Sequence, residues 1–303
     1  MKTVNVILST FNGEKYLTDQ LDSIFNQDEI RLTITIRDDG SSDSTADIIK
    51  NYLKTNKENV FFITGKNIGV INSFWLLLEH ESNNQADYIA FCDQDDVWEP
   101  RKIISAIKAL ESSKTDQPKL YYSSKKIVDK HLKITGFEKS KQHKDFHNVL
   151  VENYATGCTT VINQALRKVV LNSQKDNCIM HDWWILLTAY ACGQIIVDES
   201  AHILYRQHEN NVVGSTHKLG YWLKKISRIR SEHKGRIFTQ ARTFKNNFYP
   251  ELHDADKIML DRFIHSENSF FARLHLIFLC KGFKVSFSEK ILFSIKYLAG
   301  FSG

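Results

Sequence analysis

Four consecutive residues, Asp93-Gln94-Asp95-Asp96, set carboxylates directly behind an apolar run, Tyr88-Ile89-Ala90-Phe91-Cys92. The run reads as a buried strand. The acids then fall at the carboxyl end of that strand, the crevice where open α/β folds bind ligands. Carboxylates crowded there repel one another and resist desolvation unless a cation joins them. Oxygen donors suit a hard divalent ion, Mg2+ or Mn2+, which typically sits between one or two carboxylates and the phosphates of a substrate. The chemistry suggested is a metal–phosphate site, and the alternative from these residues alone is a solvated acidic turn. A second constellation, His181-Asp182-Trp183-Trp184, opens an apolar helix over 185–191, where a helix N-terminus favours a carboxylate. Asp182 is there either a functional carboxylate or a structural cap. His143 and His147 have the i, i+4 spacing of a metal pair, but with no helix pattern and no third ligand nearby they read as solvated loop histidines.

The elements that must position these groups alternate. Residues 4–8 form a strand that breaks at Ser9-Thr10-Phe11-Asn12-Gly13 before a helix, and residues 32–36 form a second strand that ends in Arg37-Asp38-Asp39-Gly40-Ser41-Ser42-Asp43. A third strand covers 60–63, followed by the turn Lys66-Asn67-Ile68-Gly69 and a helix over 72–80, and the fourth strand ends at Asp93. Polar groups collect at strand ends each time, and the strand–helix alternation predicts a parallel sheet covered on both faces. Pro100 suits a first helical turn, with Ile103, Ile104, Ile107 and Leu110 on the buried face. Short strands are expected at 120–123, 127–128, 195–197 and 201–205, a polar loop over 135–148, a turn and strand over 155–162 and a helix over 164–171. Beyond Gly214 apolar residues keep helical spacing while Lys224, Lys225, Arg228 and Arg230 fill the other positions, which predicts a basic amphipathic helix. Similar apolar faces with lysines recur over 274–280 and 291–299.

Composition bounds the rest. The 303 residues, 42% hydrophobic and 25% charged, have the balance of a soluble globular chain. No apolar stretch of about 18 residues is present to span a bilayer, and the first residues show no export signal. The five cysteines are scattered and never in Cys-x-x-Cys spacing, which argues against a disulfide framework or structural zinc and for a reducing cytosol. Net charge is +5, but residues 217–303 carry 16 Lys and Arg against 7 Asp and Glu, leaving 1–216 mildly acidic. The expected organisation is a catalytic domain at 1–216 and a basic, mainly helical region at 217–303. That region packs on the body, forms a homodimer interface, or meets an anionic partner at the inner face of the cell membrane. Nucleic acid is disfavoured because no basic face interleaved with aromatics appears in the body.

Taken in order, the Ser-Thr-Phe-Asn-Gly loop, Arg37-Asp38-Asp39-Gly40-Ser41-Ser42-Asp43, Asn67-Ile68-Gly69, Asp93-Gln94-Asp95-Asp96 with Trp98 and Pro100, and His181-Asp182 resemble family 2 glycosyltransferases over about residues 3–214. His181-Asp182-Trp183-Trp184 and Tyr205-Arg206-Gln207-His208-Glu209-Asn210-Asn211 look more narrowly like bacterial rhamnosyltransferases of surface polysaccharides, such as those of capsule or cell wall. The resemblance implies the GT-A fold, an α/β Rossmann-like mixed sheet flanked by helices, and transfer of a hexosyl group from a dTDP- or UDP-linked sugar to a glycan or lipid-linked glycan. It implies that Ser9, Phe11, Asn12, Asp39, Asn67, Asn72, Asp93 and Asp96 bind the nucleotide sugar, with Asp39 accepting the ring N–H of a pyrimidine. Asp95 would be the direct ligand of Mn2+ or Mg2+, joined by Asp93 and His208. Asp182 would be the catalytic base, and Gly157, Trp183 and Trp184 would meet the acceptor. His181 departs from the Glu that many members carry before that base. One base and one metal suffice for an inverting transfer, since the leaving nucleoside diphosphate needs charge stabilisation rather than a proton. Glycoside hydrolysis usually employs two carboxyl groups. Phe91 to Val97 also resembles the nucleophile motif of haloacid-dehalogenase-type phosphatases, in which Asp93 would attack phosphate.

Overall fold

Runs of β-branched and aromatic residues become strands, and the spaces between them become helices whose apolar stripe turns to the sheet. The computed structural model describes residues 2–55, 58–80, 82, 85–113, 115–142, 145–208, 235–284 and 286–300. They separate into two compact units, one of 1–141, 155–172 and 193–208, the other of 142–154, 173–192 and the residues from 209 onward.

Among the described residues the first unit carries a nine-stranded sheet: β1 (Thr3–Thr10), β2 (Arg31–Asp38), β3 (Val60–Thr64), β4 (Tyr88–Cys92), β5 (Val97–Trp98), β6 (Lys119–Val128), β7 (Ile134–Glu138), β8 (Val161–Asn163) and β9 (Gln194–Arg206). Their order is β3-β2-β1-β4-β8-β6-β9-β5, with β7 paired to β6. β1 runs parallel to β2 and β4, with Leu8 level with Ile36 and Cys92. The fully parallel expectation holds for β3, β2, β1 and β4. β8 runs antiparallel to both β4 and β6, which makes the whole sheet mixed, as the resemblance implied. Two antiparallel steps restore the direction, so β6, and β9 parallel to it, point the same way as β4. The carboxyl ends of β1, β2, β4 and β9 therefore share one edge.

Alternation along the strands covers both faces. Val4, Val6 and Leu8 of β1 and Tyr88, Ala90 and Cys92 of β4 join one core with Leu17, Leu21 and Ile24 of α1 (Leu17–Phe25), Ile49 of α2 (Thr45–Thr55), and Ile103, Ile107 and Leu110 of α4 (Lys102–Glu111). The intervening residues face the other way, where Phe91 meets Phe74 of α3 (Gly69–Glu79) at 5.8 Å between rings. The pairs of short strands expected at 120–128 and 195–205 are each one strand. Ser123 and Ser124 mark irregularities in their pairing, and there Asp198 accepts Tyr121 Oη at 2.8 Å and the Ser200 amide at 2.7 Å. Polar residues that looked like a break are thus satisfied within the sheet.

The expected loop at 135–148 is also corrected. Its start is β7, an exposed edge strand, and its end enters α5 (Phe146–Val151), which Asp145 and Asn148 open with a reciprocal capping box. His143 lies outside the described residues. α6 (Gln164–Asn172) returns to the first unit. The second unit gathers α5, α7 (His181–Cys192) and the helices Arg236–Phe248, Asp254–His265, Phe270–Leu279 and Phe287–Leu298. Its core is aromatic: Trp184 lies 6.3 Å from Phe244 and 6.1 Å from Phe248, Phe146 lies 5.9 Å from Phe244, and Phe238, Phe263 and Tyr297 form a triangle of mutually stacked rings. The amphipathic helix expected after Gly214 and the expected boundary at 216 lie outside the described residues.

Candidate active site

The shared edge of the sheet collects the polar loops. From β1 come Ser9 and Thr10 and the loop Phe11, Asn12 and Gly13; from β2 comes Asp39; from β4 come Asp93, Gln94, Asp95 and Asp96; from β9 come Arg206 and His208. All belong to the first unit.

The acids divide into two groups. Asp95 Oδ2 lies 2.8 Å from His208 Nε2, and the His208 ring packs 4.9 Å from that of Tyr16. Asp93 and Asp96 face Cys158 instead, each of the three offering a ligand atom within 4.8 Å of the others. Asp96 is fully buried; its Oδ1 accepts the Arg206 amide at 3.1 Å, and its Oδ2 is buried without a hydrogen-bond partner among the described residues. Burial first, and then the charges of Asp95 and Asp93, push the Asp96 carboxyl well above the usual carboxylate range. Burial likewise raises the Cys158 thiol, so it stays protonated and makes a poor ligand for a hard cation. Crowded carboxylate charge, an orphaned buried oxygen on Asp96 and an imidazole on Asp95 suit a divalent cation, although Asp93 groups with Asp96 and Cys158 while Asp95 groups with His208.

The loops around the acids are tied together. Asp39 is buried, pairs with Arg37, and accepts the amides of Ile68 at 2.8 Å on Oδ1 and Gly69 at 2.9 Å on Oδ2. A carboxylate has about four acceptor sites, so these bonds fix its orientation and still leave room for a base N–H. Asn67 Oδ1 also accepts the Gly69 amide, at 3.1 Å, where a positive φ of 81° suits glycine. Asn72 Nδ2 donates back to Ile68 O at 2.9 Å. Ser9 Oγ lies 2.6 Å from Ser73 Oγ, which Arg37 also contacts at 3.2 Å, so Ser9 and Asp39 share one network. Asn12 holds the second loop to the first, accepting the Ser42 amide at 2.9 Å while its own amide donates to Ser41. Phe11 stays 45% exposed at the rim, the posture of a ring that can stack on a flat ligand. Gly157 lies buried in the 3-10 turn Gly157–Thr159 ahead of β8.

Asp182, Trp183 and Trp184 belong to the second unit. Asp182 is the second residue of α7, not the residue before it, and its Oδ1 accepts the Trp183 amide at 2.8 Å. Trp183 donates from Nε1 to Val149 O at 2.7 Å. Trp184 has no exposed surface and donates to Ser173 Oγ at 2.9 Å, which makes it a core residue and not an open platform for a ligand.

The family model for glycosyl transferase family 2 matches residues 5–172, more than half of the chain and most of the residues just described. The chain belongs to glycosyl transferase family 2. It is 30% identical over 241 residues to the dTDP-rhamnosyl transferase RfbG of Shigella flexneri, covering 74% of this chain and 80% of that one. Among solved structures it is similar to residues 1–349 of S. aureus TarS in complex with UDP-GlcNAc, with a TM-score of 0.60 and 18% identity over 100% of this chain and 82% of that one. It is also similar to the mannosyltransferase PcManGT from Pyrobaculum calidifontis in complex with GDP-Man and Mn2+, with a TM-score of 0.53 and 18% identity over 98% of this chain and 85% of that one. The fold is GT-A. Membership decides between transferase and phosphatase: the protein is a glycosyltransferase.

Three groups in this glycosyltransferase escaped sequence reasoning. Gln94 Oε1 accepts from Thr10 Oγ1 at 2.6 Å and from the Phe11 amide at 2.9 Å, while Nε2 donates to Phe11 O at 3.2 Å. Buried Arg206 donates from Nε to Asp95 O, from Nη1 to Lys130 O and from Nη2 to Asp19, and its guanidinium lies 4.4 Å from the Tyr16 ring. Lys102, buried under the acidic turn, places Nζ 3.8 Å from the centre of the Trp98 ring. Burial pulls its pKa down to about 8 against the charge of Asp96. Gln94 and Arg206 stand inside motifs already singled out, so their places were visible although their contacts were not, while Lys102 offered no signal.

Proposed function

We propose that the enzyme is an inverting, metal-dependent rhamnosyltransferase that moves rhamnose from dTDP-rhamnose to a glycan acceptor in cell-surface polysaccharide synthesis. The observation that carries the metal-dependent part is the Asp93, Asp95 and Asp96 cluster at the carboxyl edge of the sheet, with His208 on Asp95 and an orphaned buried oxygen on Asp96. The 30% identity to a dTDP-rhamnosyl transferase over most of both chains supports the donor. Mn2+ or Mg2+, when bound, offsets the charge that develops on the leaving diphosphate. Asp93, Asp95 and His208 would hold that ion, and Asp39, through the orientation fixed by Ile68 and Gly69, reads the pyrimidine. Phe11 and Ser9 frame the base. Asp182 takes the proton of the acceptor hydroxyl as its oxygen bonds to the anomeric carbon and the bond to the nucleoside diphosphate breaks on the opposite face, so configuration inverts.

A donor panel tests this. With Mn2+ present, dTDP-rhamnose raises the melting temperature and UDP-hexoses do not; a ligand confined to the native state adds about 2.7 kcal/mol at a hundredfold excess over its Kd. Asp95→Ala abolishes both the shift and transfer. Stabilisation by UDP-hexoses alone would replace rhamnose as the donor, and full transfer after rigorous chelation would remove the metal.

A further inference from the structure

We propose that the helices Phe270–Leu279 and Phe287–Leu298 form a docking surface for an anionic lipid bilayer. Apolar side chains that a folded chain normally covers stand open here: Phe271 is 80% exposed, Phe278 74% and Ile295 61%. They are not scattered. Phe278, Ile291, Ile295 and Leu298 line one groove of about 520 Å3 between the two helices, and Lys281 and Lys290 line it with them. Spacing of i, i+4 and i+7 from Ile291 to Ile295 to Leu298 puts these residues on one side of their helix. A contiguous apolar patch with a polar rim marks an interaction surface.

Charge selects the partner. Residues 270–300 contain five Lys and Arg and one Asp or Glu. Two copies facing each other through this patch would bring like charges together, whereas an anionic membrane complements them and draws each nearby cation toward its surface. Helix length fixes the mode of contact. Helices of 10 and 12 residues rise about 15–18 Å, well short of the roughly 30 Å of a bilayer core, and among the described residues no helix is long and apolar enough to cross one. The pair therefore lies in the interface, with Phe271, Phe278 and Ile295 entering the headgroup–acyl boundary and the lysines at the phosphates. For its purpose the surface rests on the transferase reading above, since it would hold the enzyme where a lipid-linked glycan acceptor is found.

Flotation of the full chain with vesicles, without any sugar, separates this claim from that of transfer. The protein is expected to float with phosphatidylglycerol-containing vesicles at low salt, with at least tenfold weaker partitioning on pure phosphatidylcholine or at about 0.5 M salt. Phe278→Glu combined with Ile295→Glu should weaken partitioning at least tenfold at low salt while leaving the melting temperature unchanged, because both side chains are already exposed. Lys281→Glu with Lys290→Glu should erase the preference for phosphatidylglycerol. Three results would overturn the proposal: no flotation at low salt, native-like flotation of the Phe278/Ile295 variant, or a dimer in sedimentation velocity that the same substitutions dissolve.

Discussion

Asp182 separates a chemical role from a structural one at the scale of a single side chain. Its Oδ1 accepts the Trp183 amide in the first turn of α7, a bond that the carbonyl oxygen of an Asn side chain can also accept. Asp182→Asn should therefore leave the melting temperature and donor affinity close to native while kcat falls by about 10²–10⁴, the usual worth of a general base. Native turnover in that variant would leave the residue a structural one. The carboxylates were legible in the sequence because a strand that stops in acids is a local pattern. Their partition was not. That Asp96 turns inward to the Arg206 amide while Asp95 turns to His208 depends on β9, more than 100 residues away in the chain. Trp184 misled for the same reason: its place beside Asp182 suggests an acceptor platform, yet its environment is set by Phe244 and Phe248.

Between elements, Gln94 acts as a latch, joining the turn after β4 to the loop after β1. Its amide is suited to this because one end accepts and the other donates, a pairing no carboxylate offers. Gly13 completes the fit, since a Cβ there would come within 2.5 Å of Gln94 Oε1. Gln94→Ala removes bonds to Thr10 and Phe11 that each contribute about 0.5–1.5 kcal/mol. Phe11 then loses its anchor, and the expected result is a rise of about tenfold in KM for the nucleotide sugar with kcat within a factor of a few, measured by steady-state kinetics. An unchanged KM would show that the loop holds its form without the latch. The strands β1 to β4 and the first four helices follow the periodicity of the sequence because each buries a stripe against the same sheet. The hairpin strand Ile134–Glu138 and the short helix Phe146–Val151 did not show themselves. An exposed edge strand needs no apolar alternation, and six residues are too few to reveal a helical period.

At the scale of the whole chain, the segments that make the two units interleave: 142–154 and 173–192 leave the sheet-bearing unit to pack with the described helices from Arg236 onward. A boundary drawn at residue 216 looks natural from the change in composition, but it separates Trp184 and Phe146 from Phe244 and Phe248. Burial of each large apolar side chain contributes about 1.5–3 kcal/mol. A fragment of residues 1–216 should consequently be insoluble, or bind a hydrophobic dye and lose the near-ultraviolet dichroism of its tryptophans. A monomeric fragment with a cooperative melt would show that the two segments hold without the later helices. The same interleaving sets a timetable on the ribosome. Phe244 is added about 60 residues after Trp184, and at about 5–20 residues per second the tryptophan waits several seconds for its cover, longer while the partner helix clears the exit tunnel. During that interval the nascent chain presents an apolar helix to the cell, which makes the stretch around 181–192 the expected landing site for a chaperone acting before synthesis ends.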